Sequence, residues 1–291
     1  MACRAPFDDH AGVKYAYFRR TLDATINQTS QGGPATADKT WTKLLPSIDL
    51  HYAIQPNWTA YAQFAKGFLA PNINVFFNTD PAKYDTVDPQ QTTNYQIGTT
   101  WKSHDLVLSG DLYRVDNNNA VDHTKVQGNK VFFNSGTVRF QGAEAEGTYY
   151  VGGGFSVYAN ASYNEATIQS SGLQIAGIPK HTEALAFIYN QGPWYADVTT
   201  KFIGARNGDY NGSKAIYPFS AVALTNLDVN YTVQGQGGVL PKGAKIGVQV
   251  GNLFDKNTLF ALAGYTANGN LPLFYNTAGR SVMLNFSYPF Q

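Results

Sequence analysis

Cysteine is nearly absent: Cys3 stands alone in 291 residues. That excludes an internal disulfide framework and any metal site built from several cysteines. Charged residues are also scarce, at 14%, where a soluble domain carries roughly a quarter. The net charge of +1 gives no argument for nucleic acid or for an acidic partner. No apolar run approaches the roughly 20 residues of a transmembrane helix. Helices and closed barrels are the only structures that cross a bilayer, so any crossing here must be made by strands. No comparable stretch has a 3.6-residue apolar period with caps, which leaves helix a minor component at most. The five histidines are scattered without His-Glu-x-x-His spacing, and no nucleophile elbow or Walker-type phosphate loop occurs. The chain reads as a non-enzyme with no cofactor site.

Aromatics are abundant instead, with 19 Tyr and 18 Phe, and apolar residues alternate with polar ones. Near the end, Val282, Leu284, Phe286, Tyr288 and Phe290 fall on one face of a strand, while Ser281, Asn285 and Ser287 fall on the other. The pattern recurs with Ile48, Leu50, Tyr52 and Ile54; with Tyr95, Ile97 and Trp101; and with Phe155, Val157 and Tyr163. It recurs again with Trp194, Val198 and Phe202; with Leu227, Val229, Tyr231 and Val233; and with Ile246, Val248 and Val250. The expected class is all-β. Low charge with many rings suits an apolar band that meets hydrocarbon, flanked by aromatic girdles.

About 12 strands of membrane-crossing length are expected. Short links follow every second strand: Gln55-Pro56-Asn57, Ser103-His104-Asp105, Val151-Gly152-Gly153-Gly154 and Gln191-Gly192-Pro193. Their Gly, Pro and Asn content is that of tight turns. Long links fill the alternate positions, at about 21–39, 69–89, 117–136, 168–179, 206–219 and 252–279. Short turns on one side and long loops on the other describe an antiparallel outer-membrane barrel. The link from Gln234 to Gly243 is longer than that rule expects. A soluble β-sandwich binding module and a small passive pore complete in itself are the competing readings. The sandwich predicts a face buried from solvent, and the pore predicts conductance without an energy source.

Asn252-Leu253-Phe254-Asp255, directly after a strand, resembles the Asn-Leu-Phe-Asp motif of TonB-dependent outer-membrane receptors, and further short motifs follow that family's order along residues 12 to 290. Gly67-Phe68-Leu69-Ala70-Pro71-Asn72 resembles its Gly-Phe-Arg-Ala-Pro stretch, with Leu69 for Arg. Asn94-Tyr95-Gln96-Ile97-Gly98 resembles its Tyr-Glu-Leu-Gly strand, and Gln141-Gly142-Ala143-Glu144-Ala145-Glu146 its Gly-Val-Glu strand. Gly279-Arg280 before the last strand also fits, although Ala278 stands where the family usually has Pro.

The resemblance implies uptake of a scarce nutrient across the outer membrane of a Gram-negative cell: a ferric siderophore, haem, cobalamin or an oligosaccharide. It also implies a 22-stranded barrel with an N-terminal plug pulled by the TonB complex. Against that pattern, Met1 to Phe7 lack the charged start and apolar core of a signal peptide, and about half the strands are present. Residues 1–291 therefore read as one partial barrel domain without a plug, a C-terminal portion expected not to transport alone. The expected partners are outer-membrane lipid, an unidentified small-molecule substrate and the barrel-assembly machinery, which Phe290 resembles a signal for; Gln291 extends one residue beyond it.

Polar-face residues Asp49, His51, Asp111, Glu144, Glu146, Asp197, Lys201, Asp228 and Lys245 are expected to solvate a lumen or pair with each other and a plug. Aromatics in the long links are the candidate ligand surface: Phe76, Phe77 and Tyr84; Tyr210 and Tyr217; Tyr265, Phe274 and Tyr275. Rings there can stack on a sugar or a catechol, or simply extend the outer girdle.

Overall fold

Period-two alternation is realised as strand throughout. A computed structural model describes residues 7–24, 35–72, 75, 87–126, 129–235, 240–266 and 271–288. In chain order the strands are β1 (Phe7–Ala24), β2 (Ala35–Gln55), β3 (Trp58–Leu69), β4 (Gln90–Lys102), β5 (Leu106–Asn118), β6 (Val121–Val126) and β7 (Asn129–Asn134). They continue with β8 (Val138–Gly152), β9 (Phe155–Ile168), β10 (Leu173–Gln174), β11 (His181–Gln191), β12 (Trp194–Ile203), β13 (Arg206–Asn211) and β14 (Lys214–Phe219). The last are β15 (Val222–Thr232), β16 (Lys245–Gly251), β17 (Leu259–Tyr265), β18 (Pro272–Asn276) and β19 (Ser281–Ser287).

One sheet runs β1-β2-β3-β4-β5-β8-β9-β11-β12-β15-β16-β19, with the short β10 attached to β9. Twelve strands thus lie on its path, the number expected from the alternation. Three hairpins stand apart from it, namely β6–β7, β13–β14 and β17–β18, and each occupies one of the long links. The expected link at 21–39 is corrected. β1 and β2 pair without interruption from Phe7↔Tyr52 to Ala24↔Ala35, so residues 21–24 and 35–39 are strand, and 25–34 lie outside the described residues. The apolar alternation fades there, but the ladder propagates because the partner strand is already in place and Thr36, Thr40 and Thr42 favour extended backbone. The link at 69–89 lies, apart from its ends and Val75, outside the described residues.

Contacts divide the chain into two compact units: Met1–Gly98 with Leu112–Gln141 and Glu165–Gln174, and Thr99–Asp111 with Gly142–Asn164 and Ile175–Gln291. In the first unit, the polar face of β2, β3 and β4 is cross-linked in rungs. Gln63 Nε2 donates to Asp49 Oδ1 (2.7 Å), and Asn94 Nδ2 donates to Gln63 Oε1 (3.3 Å). One rung away, Gln96 Nε2 donates to the Tyr61 hydroxyl (3.1 Å). The Tyr61 ring lies over Gly98, where a Cβ would come within 2.5 Å of it and displace the ring. The opposite face presents Ile48, Tyr52, Tyr95 and Ile97 to the surroundings. Toward the long-link end that face turns polar. Arg114 and Arg139 both donate to Asp116, at 2.7 Å for the closest bond of each, and Gln141 donates to Glu165 at 3.2 Å. Arg19 and Asp38 pair likewise on β1 and β2.

In the second unit the registers are continuous across β9-β11-β12-β15-β16-β19. They place Phe155, Phe187, Trp194, Val198, Ile246, Leu284 and Phe286 on one face, all exposed. Among the described residues, buried hydrophobics amount to a handful such as Val75, Ala166, Ala186, Phe219 and Val222. A sandwich would bury one apolar face against another. Here the apolar face is the exposed one, which rejects the soluble alternative.

Candidate functional site

The Asn252 motif is a polar knot where β16 ends. Asn252 is 8% exposed and sits at φ 48°, a conformation that asparagine tolerates better than most residues. Its Nδ2 donates to the carbonyls of Lys256 (3.0 Å) and Ala278 (2.7 Å), and its Oδ1 accepts from the Lys256 amide (2.8 Å). Leu253 N donates to the Thr225 carbonyl (2.7 Å). Asp255 Oδ1 accepts from the Arg280 amide (2.8 Å). One turn therefore fixes both the exit of β16 and the entry to β19. Phe254 plays no part in these bonds and is 74% exposed.

In the second unit, Asp111, Glu144, Glu146 and Lys201 line a groove of about 420 Å³ on the polar face, with Ser162 and Thr182. Gly142 lies two residues before Glu144 on β8. Ser109 Oγ and the Tyr158 hydroxyl each donate to Glu146 at 3.0 Å. Asp111 Oδ1 is buried with no partner among the described residues. On the same face Asp197 stands directly opposite Asp228, a placement that like charges disfavour. Among the described residues, neutral groups relieve it: Thr199 (2.9 Å) and the Tyr195 hydroxyl on Asp197, and Gln249 (2.7 Å) with Asn230 on Asp228.

Beyond the sheet, the two hairpins of the second unit pack together. The Phe274 ring meets Phe219 edge-on at 6.0 Å and Tyr217 at 5.6 Å. Arg206, 8% exposed, lies between Phe219 (5.5 Å) and Phe260 (4.6 Å) and donates to the Phe260 carbonyl. Burial lowers its pKa from the ordinary guanidinium value. The Tyr265 hydroxyl donates to Asp209 Oδ2, and that bond is the main reason its pKa is pushed up to about 12. Sequence reasoning named Tyr265, Tyr217 and Phe274 as loop aromatics but missed Arg206 and Asp209. Tyr210 pairs with Ala215 within β13–β14, and Tyr275 is 64% exposed. Tyr84, Phe76, Phe77 and Phe290 lie outside the described residues.

The Gly67-to-Asn72 motif borders a second cavity, of about 360 Å³, in the first unit. Leu69, Pro71 and Val75 line it with Val121 and Phe132, and Arg20 and Asp122 supply charge. At Gly67 a Cβ would press on the Thr92 hydroxyl, which would have to turn away; Phe68 follows it on β3. No sequence pattern foretold this cavity, because its walls come from segments about 50 residues apart.

The family model described as TonB dependent receptor-like, beta-barrel, matches residues 10–253. The chain belongs to the TonB-dependent receptor β-barrel family. Solved structures similar to it in fold include the copper transporter OprC (TM-score 0.75, 16% identity), of which the match covers 96% of this chain and 45% of that one. The ferric citrate transporter FecA follows at TM-score 0.74 and 17% identity, covering 97% and 42%. The ferric yersiniabactin uptake receptor FyuA from Yersinia pestis has TM-score 0.71 and 17% identity, covering 98% and 43%. This chain thus spans under half the length of those receptors. TonB-dependent receptors are transporters of the Gram-negative outer membrane. In outer-membrane barrels of this kind the apolar face meets lipid and the polar face lines the lumen.

Proposed function

We propose that the segment serves an outer-membrane receptor that takes up a scarce nutrient with energy from the TonB complex. Its residues 1–291 act as a partial barrel domain. The observation that carries this reading is the excess of acid on the polar face: Asp111, one of whose buried oxygens has no partner among the described residues, and Asp197 opposite Asp228. Such groups are stabilised by cations brought into the lumen, as the basic side chains of a plug would be. The aromatic hairpins and the cavity with Arg20 support a small-molecule substrate that enters from the outside, of the ferric siderophore, haem, cobalamin or oligosaccharide kind. Phe290 supports delivery by the barrel-assembly machinery. Residues 1–291 by themselves do not transport. Cells that express only residues 1–291 are therefore expected to carry the chain in the outer membrane and to accumulate none of these nutrients. Protonophore-sensitive uptake by such cells would overturn the proposal.

A further inference from the structure

The lipid-facing surface of the second unit is not uniformly filled. A groove of about 340 Å³ crosses it, lined by Val151, Phe155, Phe187, Tyr189, Ala196 and Val198. Its origin is a change of side-chain size along one row of the sheet. The registers set Phe155 beside Tyr189, Tyr189 beside Ala196, and Ala196 beside Val229. Large rings thus stand next to an alanine, with Trp194 and Val198 before and after it on the same strand. The Phe155 and Tyr189 rings are in contact, 4.7 Å between centroids, and form one wall. Val151, Phe155 and Phe187 are each more than half exposed, so the walls are open to whatever surrounds the barrel.

The chemistry of the lining restricts the occupant. Ser156, Asp197 and Tyr189 are the residues with polar side chains that border the groove. Strand alternation directs Ser156 and Asp197 to the lumen, where Asp197 Oδ1 accepts from Thr199, and the Tyr189 hydroxyl donates to Gln191 Oε1 at 3.4 Å. A polar ligand would find at most that one engaged hydroxyl, and water would leave most of its own bonds unmade. Left empty, the walls would lose dispersion contacts. Position restricts it further. Phe155 and Trp194 each begin a strand directly after a short link, Gly153-Gly154 and Gly192-Pro193, and short links mark the periplasmic rim. The groove is therefore continuous with the lipid-facing band at the level of the inner leaflet.

We infer that this groove holds one acyl chain of an inner-leaflet phospholipid, seated over Ala196 against Phe155, Phe187 and Tyr189, as a bound lipid that exchanges more slowly than the surrounding bilayer. The inference is independent of the transported substrate. It is tested on the chain extracted from outer membranes in mild detergent, by native mass spectrometry with lipid analysis. About one glycerophospholipid per chain is expected to survive extraction. Ala196→Phe fills the groove and should reduce that retention about tenfold, the effect of withdrawing roughly two methylenes from contact. Ala196→Leu should give an intermediate loss, and Val248→Phe, on the same face of β16, should leave retention unchanged. Only variants that keep heat-modifiable migration on gels are compared, so misfolding does not imitate loss of lipid. No retained phospholipid, equal retention in all variants, or retention of lipopolysaccharide alone would each overturn the inference.

Discussion

The Tyr265 hydroxyl donates to Asp209 across 56 residues of sequence, joining hairpin β17–β18 to hairpin β13–β14. The Tyr217 ring lies 6.3 Å from that of Tyr265, and Arg206 stacks between Phe219 and Phe260 below. Two links separated along the chain thus form one body beyond the sheet.

That bond gives the hairpins a specific alkaline response. The Tyr265 pKa is raised to about 12 from an ordinary 10, first by its bond to Asp209. A raised folded-state pKa means that the stabilisation is fully present below pH 10 and is lost as pH rises through about 12. In a tyrosinate absorbance titration, Tyr265→Phe should delete one tyrosine that ionises near pH 12 and leave the others in place. If the deleted tyrosine instead titrates near 10, the bond does not persist in solution.

Asn252 ties two chain segments at once. Asn252→Ala removes three side-chain hydrogen bonds and leaves a non-glycine residue at φ 48°. The expected cost is about 2–3 kcal/mol. Asn252→Gly keeps the backbone conformation at ease and should lose less. Denaturant midpoints of the membrane-inserted protein measure both, and equal costs would show that the bonds contribute little.

Gly98 and Tyr61 form a close-fitting pair. Gly98→Val pushes side-chain atoms into the Tyr61 ring, with an expected destabilisation of about 1–3 kcal/mol. Adding Tyr61→Ala should recover part of that loss in a double-mutant cycle. Strict additivity would mean that the ring does not rest on Gly98 in the membrane.

The two faces of β19 should respond oppositely to charge. Leu284 is 77% exposed on the lipid side, whereas Asn285 sits opposite Gly247 on the lumen side. Leu284→Arg is expected to cost about 2–4 kcal/mol if it lies near the bilayer midplane, and Asn285→Arg much less. Outer-membrane yield and unfolding midpoints of the pair report the difference. A reversed order would mean that the faces are assigned backwards.

Alternation by itself determined the all-β class, the twelve strands of the sheet and which side of each strand is apolar, because strand side chains have a period of two whatever the partner. Gly, Pro and Asn marked the short turns for the same local reason. The order of motifs such as Asn252 to Asp255 carried the family. Only the tertiary structure decided that β1 and β2 extend through a polar segment, because ladder bonds with a partner strand override a weak local preference. It also decided that three of the long links fold into hairpins. Arg206, Asp209 and the cavity bordered by Arg20 stayed hidden in the sequence. Each owes its surroundings to residues dozens of positions away, and no local pattern encodes which distant strand will lie beside it.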